Sequence, residues 1–120
     1  MAYFLFFKGG EKMKIYLTWE QVFPKGAILA ESRPWYEYNG NQRTEKLLGT
    51  NYILIRRPEY EKVSVKIPTP APIITNDEIE NADDVIYVEA EGFVGVYYKS
   101  DNDFKVSGKA EKLIIKGGRV

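Results

Sequence analysis

The 120-residue sequence predicts an all-β fold, a small β-barrel of five to six strands with one or two short helices. Tyrosine is abundant and methionine is scarce, with nine against two, which favours strands. Apolar and polar residues alternate in several short segments that Gly, Pro and Asn residues separate. Short strands at close intervals favour a barrel or a sandwich over alternating strands and helices.

The chain divides into a short extension and one compact unit. Lys8-Gly-Gly-Glu-Lys12 stands directly before Met13, which is how a purine-rich ribosome-binding site appears when it is translated. The apolar run Tyr3–Phe7 is too short to cross a membrane, which takes about 20 residues, and it lacks signal-peptide flanks. We therefore expect residues 1–12 to be a non-native or loosely ordered extension and residues 13–120 to be a single β-barrel domain. The 44% apolar share is enough for a core.

The first half of this unit predicts four elements. Met13–Leu17 predicts a strand, and Thr18 to Gln21 has the spacing of a capping box, which opens a helical turn. A second strand begins at Gly26 and continues to Tyr38. Asn39-Gly40 favours a tight turn, because both residue types tolerate positive φ. Residues 39–48 are expected to form a polar loop, followed by a strand over Tyr52–Arg56.

The second half alternates more clearly. Lys62–Ile67 predicts a half-buried strand, and the proline-rich residues 68–72 predict an extended connector. Thr75 and Glu78 form a second capping-box pattern that opens a short helix. Further strands are expected over the ranges 85–91, 93–98 and 104–115, with a turn at 99–103.

The composition argues against catalysis. The chain has no histidine and no cysteine, so the commonest general base, the commonest metal ligand and the thiolate nucleophile are all missing. Neither a calcium-loop pattern nor a phosphate-binding glycine motif occurs. We expect a binding protein, not an enzyme, with no metal and no cofactor. Lack of cysteine fits a cytoplasmic location.

Charge is segregated along a chain whose net charge is zero. Residues 1–66 carry eleven basic and seven acidic side chains, residues 67–98 carry seven acidic and no basic ones, and residues 99–120 carry six basic and three acidic ones. A neutral chain of this kind can still present a basic face. The acidic block at 77–91 is either a solvated loop and strand edge or a surface for a basic partner.

The aromatic and basic hairpin over residues 33–57 is the strongest candidate for a binding surface. Flat rings stack on bases and arginines meet phosphates, which is what single-stranded nucleic acid requires. The predicted nucleic-acid-binding residues are Arg33, Trp35, Tyr36, Tyr38, Arg43, Tyr52, Arg56, Arg57, Tyr97, Tyr98 and Lys99. Neighbours on a strand point to opposite faces, so either Trp35 or Tyr36 turns inward, and the pattern leaves that choice open. The alternative is a structural hairpin whose aromatic residues belong to the core.

Several short motifs resemble small accessory replication proteins of Gram-positive integrative conjugative elements and phages, of the helicase-processivity type. They are Tyr38-Asn-Gly40, Gly49-Thr-Asn-Tyr52, Tyr60 to Pro68, the pair Tyr97-Tyr98, and Val106-Ser-Gly-Lys-Ala110. The resemblance implies an oligonucleotide-binding (OB) barrel, without catalytic residues, that associates with single-stranded DNA beside a helicase or relaxase. The sequence ends Lys116-Gly-Gly-Arg119-Val120, without the acidic tail of general single-strand-binding proteins.

Three functions remain open on these grounds. The first is a single-stranded-DNA-binding accessory protein of a mobile element or phage, with no membrane association. The second is a structural or protein-interaction module, since Tyr, Trp and Arg also dominate protein–protein hot spots. The third is an inhibitor that mimics DNA with its acidic block. Self-association through edge strands stays open in each case.

Overall fold

The computed structural model describes the backbone of residues 3–5, 14–100 and 103–117, and the architecture below concerns these residues. In chain order the elements are β1 (Tyr3–Leu5), β2 (Lys14–Leu17), α1 (Trp19–Val22), β3 (Ala27–Asn39), β4 (Gln42–Arg56), β5 (Glu61–Ile67), α2 (Asn76–Glu80), β6 (Tyr87–Glu91), β7 (Val94–Ser100), β8 (Asp103–Lys109) and β9 (Lys112–Gly117). The predicted translation start at Met13 and most of the predicted extension lie outside the described residues.

The prediction of a mainly β chain with one or two short helices is confirmed, but the described strands exceed the expected five to six and do not form a closed barrel. The described residues form one mixed sheet of nine strands in the order β1-β2-β7-β8-β5-β4-β3-β6-β9. The expected last strand divides at Ala110-Glu111 into β8 and β9, which pair with different neighbours. Within the described part of the chain, β1 and β9 each pair on one side only, so the sheet stays open.

One long-range pairing shapes the sheet. β5 lies parallel to β8, with Ser64 opposite Ser107, whereas the other paired strands are antiparallel. Where β8 passes into β9, the amide of Ala110 donates to the carbonyl of Lys66, and the amide of Glu111 donates to that of Glu91. The ends of β5 and β6 therefore meet at this junction, and the sheet curves around one core.

The core lies on the inner face of this curved sheet. Alternate residues of the central strands point inward and are buried, among them Tyr52, Leu54, Val63 and Val65. The two helices cover this face, and both begin as predicted. Thr18 and Thr75 each accept a bond from the backbone amide three residues on, and each helix has the reciprocal side-chain bond of a capping box.

An aromatic cluster closes the core beside β7 and β8. The Phe93 ring lies 5.3 Å from the Trp19 ring and 6.0 Å from the Phe23 ring, centroid to centroid. It packs over two glycines. A Cβ on Gly108 would lie 2.4 Å from a Phe93 ring carbon, and one on Gly95 would lie 3.1 Å from that ring. Glycine at these positions makes the close approach of the ring to the sheet possible.

The predicted polar loop over residues 39–48 is wrong, because β3 and β4 form a hairpin with only two loop residues, Gly40 and Asn41. Gly40 has φ +65°, while Asn39 ends the strand. The outer part, residues 36–47, pairs with no further strand in the described ranges and is named the hairpin arm. Solvent on both sides removes the apolar alternation that marks a strand in a sequence, which explains the wrong prediction.

Candidate functional site

Two segments of similar sequence, Lys62-Val-Ser-Val-Lys66 and Lys105-Val-Ser-Gly-Lys109, lie side by side. They belong to β5 and β8, and the parallel register places Ser64 opposite Ser107 and Lys66 opposite Lys109. Val63 and Val65 point into the core. Because side chains alternate along a strand, the lysines and serines point to the opposite side, named here the outer face of the sheet. Three of the four lysines are exposed and Lys66 is half-buried.

The outer face extends across the neighbouring strands. Residues directly opposite each other on paired strands share a face. Register therefore places Asn51, Ile53 and Ile55 of β4 beside the lysines of β5, and Tyr98 of β7 beside Lys105. Ile53 is buried at 8% exposure but lies outside the inner core cluster, so it forms an apolar floor beneath polar neighbours.

A cleft opens where β5 and β8 diverge. The two strands pair only over Ser64–Lys66 and Ser107–Lys109. On the N-terminal side of this pairing they border a cleft with a volume of about 720 Å³. The lining combines three cations, one anion, two hydroxyls and two tyrosines with two valines: Arg56, Lys62, Lys105, Glu61, Ser64, Ser107, Tyr97, Tyr98, Val63 and Val106. Such a lining is net positive and presents both rings and hydrogen-bond donors.

Arg56, a predicted phosphate contact, lies in this cleft but is partly neutralised. Its Nε is 3.7 Å from a carboxylate oxygen of Glu59, and its Nη1 is 3.7 Å from one of Glu61. Neither distance is a hydrogen bond, and the buried Nε–H has no hydrogen-bond partner among the residues that the structure describes. The guanidinium thus retains unused donor capacity at the cleft.

Arg33, on the outer face of β3, is held by Glu31. The Arg33 guanidinium donates from Nε at 2.8 Å and from Nη2 at 3.0 Å to the two oxygens of this carboxylate. The hydrogen bond from Arg33 lowers the pKa of Glu31 below its ordinary 4.5 against an opposing effect of desolvation, and the charges of Arg33 and Lys62 lower it further. The pKa of Arg33 is raised by the same hydrogen bond. A phosphate at Arg33 must therefore compete with a carboxylate.

Trp35 lies on the same side as the lysines, at the base of the hairpin arm. Its ring is half-buried, and the ammonium of Lys66 lies 5.3 Å from the ring centroid. This is a cation–π contact. Trp35 pairs with Gly49, which lacks a side chain.

The hairpin arm carries three of the other predicted residues. The Arg43 guanidinium lies 4.5 Å from the centroid of the Tyr36 ring, and the side chain of Tyr38 is exposed at 62%. Lys46 and Glu37 are 3.9 Å apart across the arm. We expected one of the rings of Trp35 and Tyr36 to belong to the core. Instead, both rings are half-buried and neither belongs to the core.

Three predicted residues have other surroundings. Tyr52 is a correction, because its ring is 1% exposed in the core and its hydroxyl accepts a hydrogen bond from the amide of Ile73. It has no surface on which a base could stack. Arg57 donates to the hydroxyl of Tyr87 on β6, and Lys99 is exposed near the end of β7.

Sequence reasoning missed the four lysines as a set. The signal was present as two copies of Lys-Val-Ser-x-Lys, but only the parallel pairing of distant strands brings the copies together. It also missed Glu31 as the partner of Arg33. The spacing of two positions on a strand places both residues on one face.

Within the described ranges, no three acidic side chains come together in a way that could hold a metal ion. No helix among those residues is long and apolar enough to cross a membrane. Comparison of the chain with protein-family models, with curated proteins and with solved structures found no match. The resemblance to accessory replication proteins therefore stays a prediction.

Proposed function

We propose that this protein binds single-stranded DNA across the outer face of β4, β5 and β8. The observation that carries the proposal is the in-register pair of Lys-Val-Ser-x-Lys segments. It concentrates four ammonium groups on one face of a chain whose net charge is zero. Clustered cations attract a phosphodiester backbone, since each neutralised phosphate releases condensed counterions.

The surroundings of the lysines favour a single strand over a duplex. Unpaired bases expose their ring faces, and Trp35 and Tyr98 flank the lysines while Ile53 provides an apolar floor. Base stacking on an aromatic ring contributes about 1–3 kcal/mol. Ser107 lies between Lys105 and Lys109 and can donate to a phosphate oxygen, whereas the Ser64 hydroxyl already donates to the Asn51 side chain.

We further propose that the strands around this face are an OB-type arrangement. β3 adjoins both β4 and β6, β5 runs parallel to β8, and the bent segment β8–β9 links β5 to β6. The OB fold is a five-stranded, partly open barrel whose second and third strands bind oligonucleotides. Counted from β3, those strands are β4 and β5, beneath the lysines. An accessory role in the cytoplasm beside a helicase or relaxase of a mobile element or phage is the use that the resemblance suggests.

The test compares two variants of equal charge. In the first, Lys62, Lys66, Lys105 and Lys109 are changed to Gln. In the matched control, four exposed lysines elsewhere, Lys25, Lys46, Lys112 and Lys116, are changed to Gln. Fluorescence anisotropy with an oligo-dT strand at low salt should show at least about tenfold weaker binding for the first variant than for the control. Equal losses in both, or no binding by the unmodified protein at micromolar concentration, would contradict the proposal.

A protein partner is the second candidate function, and the hairpin arm favours it. The arm projects from the sheet and exposes Tyr38 at its outer end. Tyrosine and arginine are enriched in protein-binding hot spots. A Tyr38→Ala, Arg43→Ala variant that binds oligo-dT normally but no longer retains a partner helicase or relaxase would assign the arm this role.

A further inference from the structure

We infer that Trp35 is a nucleobase-stacking site whose ring face is occupied by Lys66 in the free protein, and that binding exchanges this ammonium for a base. The inference rests on the proposed function and adds to it a specific subsite. In the free protein the Lys66 ammonium lies 5.3 Å from the centre of the Trp35 ring. The face of the ring that a base would take is thereby covered by a cation.

The position of Lys66 follows from its neighbours. Parallel register places Lys66 opposite Lys109, so that two ammonium groups start from adjacent strands on the same face. Like charges directly opposite on paired strands repel. Leaning over Trp35 moves the Lys66 ammonium away from Lys109 and towards the negative face of the indole ring.

A bound DNA strand removes both reasons for Lys66 to lie over the ring. A phosphate between Lys66 and Lys109 neutralises their repulsion and offers Lys66 a stronger partner than the ring, because an ion pair with hydrogen bonds exceeds an exposed cation–π contact. The lysine then swings from the ring to the phosphate. The uncovered indole accepts the base that belongs to the same stretch of strand, and stacking is indifferent to base identity.

The surroundings of the ring leave room for this exchange. The Trp35 ring is half-buried, not enclosed, so part of its surface is open, although main-chain atoms of Ile67 and Pro68 occupy the space beside Gly49, its partner on β4. Asn51 stands opposite both Lys66 on β5 and Arg33 on β3. Further donors to a phosphate at this position thus lie next to the ring.

The test uses tryptophan fluorescence with two strands of equal length, oligo-dT and an abasic deoxyribose-phosphate strand of the same charge. The chain has two tryptophans, and Trp19 packs against Phe23 and Phe93 in the aromatic cluster. The difference between the unmodified protein and a Trp35→Phe variant therefore reports Trp35. Oligo-dT should quench this difference signal, whereas the abasic strand should leave it unquenched although it binds.

Affinities provide the second readout. Trp35→Ala should weaken oligo-dT binding on the order of tenfold and change abasic-strand binding less than about twofold. Lys66→Met should retain the quench and reduce the slope of log affinity against log salt by about 0.7, the value for one phosphate on a single strand. Circular dichroism checks folding, and Trp35→Phe retains a ring if the alanine variant does not fold.

The outcomes separate the inference from the function. Binding of oligo-dT with an unchanged Trp35 signal, or equal weakening of both strands by Trp35→Ala, overturns the exchange and leaves single-strand binding standing. Binding of neither strand overturns both. Quenching by oligo-dT alone, with the selective loss in Trp35→Ala, supports the exchange.

Discussion

Gly49 is required by the backbone of a neighbouring strand. A Cβ at this position would lie 2.1 Å from the carbonyl oxygen of Ile67 and 2.8 Å from the Cα of Pro68. These are main-chain atoms that cannot rotate away. We expect Gly49→Ala to lower the free energy of unfolding by about 3 kcal/mol or more, the upper end of what overpacking costs, which urea denaturation followed by circular dichroism would measure.

Gly40 provides the matched control. It has φ +65°, but a Cβ there would meet nothing within 4 Å. Gly40→Ala introduces only the strain of a left-handed residue, about 1–2 kcal/mol. If both variants lost the same stability, or if Gly49→Ala lost none, steric contact with the Ile67 carbonyl would not be the reason for glycine at position 49.

We expect Glu31 to weaken DNA binding, because its carboxylate accepts two hydrogen bonds from the Arg33 guanidinium that a phosphate would otherwise accept. The Glu31→Gln variant removes the carboxylate charge and frees the guanidinium for a phosphate. Oligo-dT should then bind more tightly, and the slope of log affinity against log salt should steepen by about 0.7. Glu89→Gln is the control, since Glu89 pairs with Lys116 on β9 instead. A Glu31→Gln variant that binds no better than Glu89→Gln would show that Arg33 takes no part.

The pH dependence of the same pair has a definite sign. The pKa of Glu31 is lowered below 4.5, chiefly by the hydrogen bond from Arg33. Its contribution to stability is therefore present above pH 4.5 and is lost as the pH falls through the lower, folded pKa. Since the pair is exposed, the contribution is small. Arg33 is released in the same acidic range.

At the scale of elements, α2 is fastened to β3 by one side chain. The Asn76 carboxamide accepts a hydrogen bond from the Ser32 amide at 2.8 Å and donates to the Ser32 carbonyl at 2.9 Å. It pairs with the strand as a further strand would. Asn76→Ala leaves two backbone groups without partners, and Ser32 is buried.

We expect Asn76→Ala to lower the free energy of unfolding by about 1–3 kcal/mol, which chemical denaturation measures. Glu80→Ala on the same helix is the control, because Glu80 is exposed and should change stability by less than about 0.5 kcal/mol. A loss in both variants of similar size would indicate that helix propensity, and not the bond to Ser32, sets the effect.

Elements were predictable where their signals are local. Thr18 with Gln21 and Thr75 with Glu78 are complete within four residues, and both capping boxes form. The alternation of Lys62–Ile67 is equally local and gives β5. The hairpin arm was not predictable, since strands with two wet faces show no alternation. The break at Ala110-Glu111 was missed because only distant carbonyls define it.

At the scale of the whole molecule, the basic and acidic segments that are separate in the sequence also lie in different parts of the fold. The lysines of β5 and β8 share the outer face, while the acidic residues of the 77–84 stretch lie in α2 or just after it, and α2 packs on β3. With four lysine–phosphate contacts, log affinity for oligo-dT should fall against log salt with a slope of about −3. Titration between low and moderate salt measures it. A slope near zero would mean that the lysines meet no phosphates, and the variant lacking these four lysines should approach that value.

The candidate site was only partly predictable, because it combines residues that are far apart in the sequence. Trp35, Arg33 and Tyr98 were expected and lie on the outer face. Tyr52 was expected and is core, because a strand pattern does not reveal which face is buried. The lysines became a surface only through a parallel pairing that no local signal predicts, since parallel partners are joined by long connections.

The parallel pairing of β5 with β8 also determines when the lysine surface forms during synthesis and folding. Ser64 and Ser107 are 43 positions apart, so β8 can reach β5 only after the ribosome has released the whole segment from β5 through β8. Closing such a long connection is slow and comes late, after local hairpins have formed. In a growing chain the hairpin arm and its tyrosines can form early, whereas the lysine surface forms only once β8 has paired with β5. Binding is thereby tied to completed folding, and a strand bound there would hold the late-arriving β8 in place.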